Sequence, residues 1–169
     1  MKDLQTLRNE LSELKNKEKE LGKEWISLDF RNDESNEFFY KYLKPLKDEI
    51  DKKEKEIWTF KQKNVKVGDG ITLILYTDAH AYTIIKRTEK TLTIQRDKAS
   101  LKSSWKPEII PGGFAGHCVN QDEQEYDYEA DLNGEIMTIH WSNKHQCWNA
   151  PNGYSRIRLG RHEFYDYNF

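Results

Sequence analysis

Histidine and cysteine are the side chains whose placement first invites chemistry. His117-Cys118 and His145-Gln-Cys147 together offer two imidazoles and two thiols, formally a tetrahedral zinc set. The spacing argues against it, because adjacent His-Cys ligands are uncommon and neither pair forms a cysteine knuckle. No metal is therefore expected, and both cysteines read as small apolar side chains. Cys118 beside His117, with Asp78 and His80 elsewhere, has the parts of a nucleophilic triad but no local motif that would assemble them. Six carboxylates fall among residues 122–131, and acidic turns and edge strands are their ordinary explanation. No catalytic group and no cofactor are expected, so the chain reads as non-enzymatic.

Phosphate binding has better raw material. There is no P-loop and no G-x-G-x-x-G between a strand and a helix. Gly112, Gly113 and Gly116 could still present backbone N–H groups to an anion. Arg156 and Arg158 share one face of a strand at period two, and Arg161 follows them. Arginine suits bidentate phosphate recognition better than lysine. Trp105 and Phe114 offer ring faces on which a base could stack, worth ~1–3 kcal/mol each. Trp105, Phe114, Asn120, Arg156, Arg158 and Arg161 are thus the candidate ligand-binding residues, for a small anionic nucleotide. The competing explanation is that the arginines answer the 122–131 carboxylates across a sheet.

Composition narrows the partners. The 169 residues carry a net charge of -2 and a mean hydropathy of -0.96, with 33% charged residues. Residues 1–66 hold 16 Lys/Arg and 15 Asp/Glu, and the remainder 11 and 14. Neither half is a basic field, which disfavours binding to long nucleic acid. No apolar run approaches the ~20 residues of a membrane span. The opening MKDLQTLRNE lacks the apolar core of a signal peptide, and two cysteines do not make a disulfide framework. A reducing cytoplasm fits.

The elements that must position these residues fall into two blocks, 1–64 and 65–169. Leu4, Leu7, Leu11, Leu14, Leu21, Trp25 and Leu28 repeat at alternating spacings of three and four, broken only at Glu18. That stripe predicts an amphipathic helix over 1–28. A turn at 31–36 follows, in which Asp33 or Ser35 can cap the next helix. Phe39, Leu43, Leu46, Ile50, Ile57 and Phe60 form a second stripe with its gap at Lys53. An antiparallel helical hairpin, coiled-coil-like, would bring Glu18 and Lys53 within about one layer, as a register-fixing polar pair. Pro45 must either kink the second helix or start it. An intermolecular bundle is the alternative, and a homodimer or higher oligomer is expected.

From Val65 the period changes to two. Strands are predicted at 71–77, 81–88, 91–96, 125–131, 135–141, 146–149 and 154–159, with turns at Asn133-Gly134, Asn143-Lys144 and Pro151-Asn152-Gly153. The fold class is α+β, a small antiparallel β-barrel or sandwich following the helices. One long irregular loop, 101–122, interrupts it, and loops of that length tend to be functional or disordered. The last eleven residues carry Phe164, Tyr165, Tyr167 and Phe169, too much apolar area to lie loose in water. They are expected to close the β unit as a strand or latch, with structural rings.

Several stretches resemble a β domain of phage and prophage accessory proteins. They are Val67-Gly-Asp-Gly70, Leu75-Tyr-Thr-Asp-Ala-His-Ala-Tyr-Thr83, Ile94-Gln-Arg-Asp-Lys-Ala99, Asn120-Gln-Asp-Glu-Gln-Glu-Tyr-Asp-Tyr128, Ile139-His-Trp-Ser142 and above all Leu159-Gly-Arg-His-Glu-Phe-Tyr-Asp-Tyr-Asn-Phe169. The resemblance covers roughly 67–169, and the helices stand outside it as an addition. The layout is also similar to the phage anti-Thoeris sponges, non-enzymatic oligomers that sequester a cyclic ADP-ribose isomer. That likeness implies an anti-defence protein in the cytoplasm of an infected bacterium, holding a cyclic nucleotide without cleaving it. The alternative is an anti-CRISPR-like inhibitor that binds a bacterial defence effector, the acidic 122–131 strip imitating nucleic-acid phosphates.

Overall fold

A computed structural model describes residues 2–28, 33–112, 115–150 and 156–168. The fold is α+β and divides into two compact units, Met1–Asn64 and Val65–Phe169.

In the first unit α1 spans Leu4–Ile26. Asp3 caps it, its carboxylate accepting from the Thr6 amide at 2.8 Å. The second helical stretch is continuous but not uniform. It opens as α2, Glu34–Phe38, loosens into a π-helical turn over Phe39–Leu43, and tightens into α3, Lys44–Lys63. Pro45 accounts for the π turn, since its ring clashes with the carbonyl four residues back and it has no N–H to donate. The proline stands in the first turn of α3, the place expected of one that starts a helix, but the residues before it are helical and not irregular, because a wider turn joins the two stretches. Asp33 stands at the N-cap without a side-chain capping bond, and Ser35 is buried, its carbonyl accepting from Trp25 Nε1 at 3.0 Å.

Leu7, Leu43, Leu46, Ile50 and Ile57 are buried, so the two apolar stripes supply the core of this unit. The expected Glu18–Lys53 pair does not form. Lys53 bonds Glu10 at 2.9 Å and Glu56 at 2.8 Å, while Glu18 faces Lys47 at 3.7 Å. The stripe gaps are thus offset along the helices, and each finds a different partner of opposite charge. The Lys53 side chain is largely covered while its partners reach solvent, and pairs of this kind add little to stability.

The second unit is an antiparallel, nearly closed barrel-like sheet. Its strands are β1 (Gly70–Ile74), β2 (Ala79–Arg87), β3 (Thr91–Leu101), β6 (Tyr126–Ala130), β7 (Ile136–Ser142), β8 (Cys147–Asn149) and β9 (Arg156–Leu159), in the order β8-β7-β3-β2-β1-β9 with β6 also on β3. β4 (Ile109–Gly112) and β5 (Ala115–Cys118) form a separate two-stranded sheet. Period-two burial explains the core: Ile71 and Leu73 of β1, Tyr82 and Ile84 of β2, Leu92 and Ile94 of β3, and Ile139 of β7 point inward, with Trp148 packed edge-on to Trp141 at 5.2 Å.

Three boundaries differ from expectation. β1 ends at Ile74 because the Leu75 amide turns back to the Asp78 carbonyl at 2.8 Å. β3 runs five residues beyond 96, leaving β7 at Gln95 to pair Asp97–Leu101 with β6. The 101–122 stretch is not one irregular loop, since β4 and β5 lie within it. Pro111 hid that hairpin; proline is tolerated in a strand only at an edge, and here it sits opposite Gly116 in a two-stranded ribbon. The turn at Asn133-Gly134 forms as expected. Gly134 is obligatory there, because a Cβ would lie 2.3 Å from the Arg96 carbonyl oxygen. The turn at 151–153 lies outside the described residues.

Candidate functional site

The closing segment is where the fold gathers its buried charge. Gly160, at φ +94, turns the chain out of β9 and aims Arg161 back across the sheet. Arg161 Nε donates to Asp97 Oδ2 at 2.9 Å, and its Nη2 donates to Thr83 Oγ1 at 2.7 Å. Asp97 is buried, and its other oxygen accepts from Thr83 Oγ1 at 2.6 Å. Two residues on, Glu163 is also buried. One oxygen takes the Ala81 amide at 2.8 Å, and the other meets His80 Nδ1 at 3.1 Å and Arg96 Nη2. Burial pushes the Glu163 carboxyl up, but bonds from His80, the Ala81 amide and Arg96 outweigh it and hold it below the ordinary carboxylate range. Phe164 then exchanges two backbone bonds with Ala79, at 2.9 and 3.0 Å.

Beyond Phe164 the segment is sewn to the stretch that precedes β6. Gln124 is buried and uses its whole amide. Nε2 donates to the Gln121 carbonyl at 2.8 Å and to the Tyr165 carbonyl at 2.7 Å, while Oε1 accepts from the Tyr165 amide at 3.2 Å and Tyr126 Oη at 2.7 Å. Its side chain thus meets Tyr165 as a neighbouring strand's backbone would. Gln121 Oε1 accepts from the Tyr167 amide at 3.1 Å. Asn168 brackets Cys118, accepting from its amide at 2.7 Å and donating to its carbonyl at 3.0 Å. Tyr167 packs on the Trp105 indole, centroids 5.4 Å apart. Tyr126 sits in this region with its phenol pushed up to about 12, chiefly by burial.

Above these bonds opens a cleft of about 530 Å³ lined by Ser104, Trp105, Asp122, Glu123, Gln124 and Glu125. Its lip is acidic. Asp122, Glu123 and Glu125 are exposed there, and Asp127 and Glu129 continue the exposed carboxylates along β6. Lys102 and Lys98 answer only Glu125 and Glu129, at 3.0 and 3.6 Å.

The six candidate ligand residues separate. Trp105 lines the cleft, but it is 8% exposed, with Nε1 donating to the Asn120 carbonyl at 3.2 Å. Asn120 lies beside it and spends its side chain on the Glu108 amide at 2.9 Å and the Lys106 carbonyl at 3.0 Å, holding the base of the β4–β5 ribbon. Arg161 is committed to Asp97 rather than to the 122–131 carboxylates. Arg156 and Arg158 are exposed on β9 opposite Ile74 and Thr72, and they do not line the cleft. Phe114 lies outside the described residues. His117 stands on β5 and Cys147 on β8, in different sheets. The pattern gave no local signal for Asp97, Gln121, Gln124 or Glu163, whose partners are up to 83 positions away.

No protein family, curated protein or solved structure matches the chain. No helix among the described residues is long and apolar enough to cross a membrane.

Proposed function

We propose that this chain is a non-catalytic binding protein whose acidic cleft and β6 face dock on a basic surface of a bacterial defence effector. The single observation carrying this reading is the cleft, a concavity beside an indole whose rim is carboxylate. A unit charge ~8 Å from each carboxylate feels about 0.5 kcal/mol per pair in water, favourable for a guanidinium or ammonium group and unfavourable for phosphate. The resemblance to phage accessory proteins supplies the setting, an anti-defence protein in the infected host's cytoplasm. The helical unit, read as a coiled-coil-like hairpin, would then provide self-association.

Sequestration of a cyclic nucleotide is the second reading. It is favoured by Arg156 and Arg158, exposed and sharing one face of β9. Calorimetry with two probes separates the two. An octa-arginine peptide should bind with strong salt dependence and lose about tenfold in affinity in Asp122→Asn/Glu123→Gln, the worth of two charge-assisted contacts. Glycocyclic ADP-ribose binding that survives this double variant and is lost in Arg156→Ala/Arg158→Ala would replace the first reading by the second. Failure of both probes would overturn both.

A further inference from the structure

We infer that residues 165–168 and the described residues 102–112 and 115–124 form one opening unit, a strap whose release dismantles the acidic cleft while the barrel stays closed. The hydrogen bonds divide the closing segment at Phe164. On one side, Glu163 and Phe164 are fixed to β2 through the Ala81 amide, His80 and the Ala79 backbone. On the other, Tyr165, Tyr167 and Asn168 are held chiefly by Gln124, Gln121, Trp105 and Cys118. Among the described residues, Asp166 alone reaches back, its amide donating to Asp78 Oδ1 at 3.0 Å.

Among the described residues, the 102–124 stretch has few other bonds to the rest of the fold. β4 and β5 pair only with each other, and Ile109, Ile110 and Val119 are about half exposed. A lone two-stranded ribbon is marginally stable in water. Among the described residues, Lys102 ties its base to Glu125 through the backbone and the side chain, and Cys118 against Asn168, Gln121 and Gln124 against Tyr167 and Tyr165, and Trp105 against Tyr167 fasten the rest. Beyond that base, each bond therefore depends on the same few partners. Losing the tail removes the support of Trp105 and Gln124, and those two residues are cleft wall. Such sharing is the structural condition for a cooperative sub-global opening below the free energy of global unfolding.

The coupling stands whatever the cleft binds. Amide hydrogen exchange on the full chain tests it, with Asn168→Ala and Gln124→Ala as separate variants. Each removes bonds at a different end of the unit. Both should speed exchange of the Trp105, Val119, Tyr165 and Tyr167 amides by a common factor of about ten, the worth of one to two hydrogen bonds. The Ile84 and Ile94 amides of the barrel should not move. Acceleration confined to the residues whose own bonds are cut would overturn the inference. So would acceleration of the barrel amides by the same factor, because the unit would then not open separately.

Discussion

Replacing Glu163 by glutamine puts one oxygen where the structure uses two. The carboxylate serves the Ala81 amide with one oxygen and His80 with Arg96 on the other. An amide of the same shape must turn its NH2 toward one of these donors. If it faces Arg96, a guanidinium that is only 23% exposed loses its carboxylate. Arg96 keeps the Ala81 and Asp97 carbonyls, both at 2.9 Å, so the loss falls short of the full cost of a stranded buried charge. One charged hydrogen bond lost and one donor opposed give about 2–3 kcal/mol at neutral pH. The acid side fixes the sign. Glu163 titrates below its ordinary value in the folded chain, so its stabilisation is present above the unfolded carboxyl pKa and disappears as pH falls through the lowered folded value. Urea unfolding, followed through the Ile84 and Ile94 resonances, should therefore show Glu163→Gln weaker than wild type at neutral pH, with the gap closing below about pH 4. A gap under ~0.5 kcal/mol at neutral pH, or one that persists unchanged in acid, would refute the reasoning.

Substitutions at two further positions probe the rest of the frame. Arg161→Ala leaves the Asp97 carboxylate buried with only its Thr83 bond, which should cost about 2–3 kcal/mol in the same urea experiment; Arg161→Lys should recover less than half, because a shorter point-charge ammonium does not reproduce the fixed two-pronged Nε and Nη2 contact. Ile94→Ala opens a cavity at a position of zero exposure in the barrel core and should cost about 3–4 kcal/mol, and a loss below ~1 kcal/mol would mean that the core is not packed around β3.

Periodicity made the frame legible. The leucine and isoleucine stripes located both helical stretches, and alternation located the β1-β2-β3 meander with β7. Three kinds of information were not local. Proline is disfavoured within a strand, and only the pairing of β4 with β5 in a two-stranded ribbon makes Pro111 harmless. The outward-facing Lys98 and Ser100 gave no apolar signal that β3 continues, since its extension is set by β6. Arg161 read as a candidate phosphate ligand, but its observed employment depends on a carboxylate placed far away in sequence. Asp97 sits in a strand that reads as an ordinary alternation, and nothing near it announces that Arg161 will cross 64 positions to reach it. The closing segment docks as expected over 159–168, Phe169 lying outside the described residues, yet buried side-chain amides and carboxylates hold it as much as its rings, and Tyr165 remains 56% exposed.

The placement of β1 between β2 and β9 has a kinetic consequence. One edge of β1 is satisfied by a hairpin neighbour, while the other must wait for β9, just beyond which Thr72 Oγ1 donates to the Gly160 carbonyl across 88 positions. Loop closure over that distance is entropically expensive before it is rewarded. The helices, built from local contacts, should therefore form orders of magnitude sooner than the sheet closes. Until β9 arrives, the chain displays an unsatisfied edge on β1 flanked by Ile71 and Leu73, a template for pairing with another molecule. Refolding yield should thus fall with protein concentration even though the finished barrel hides that edge.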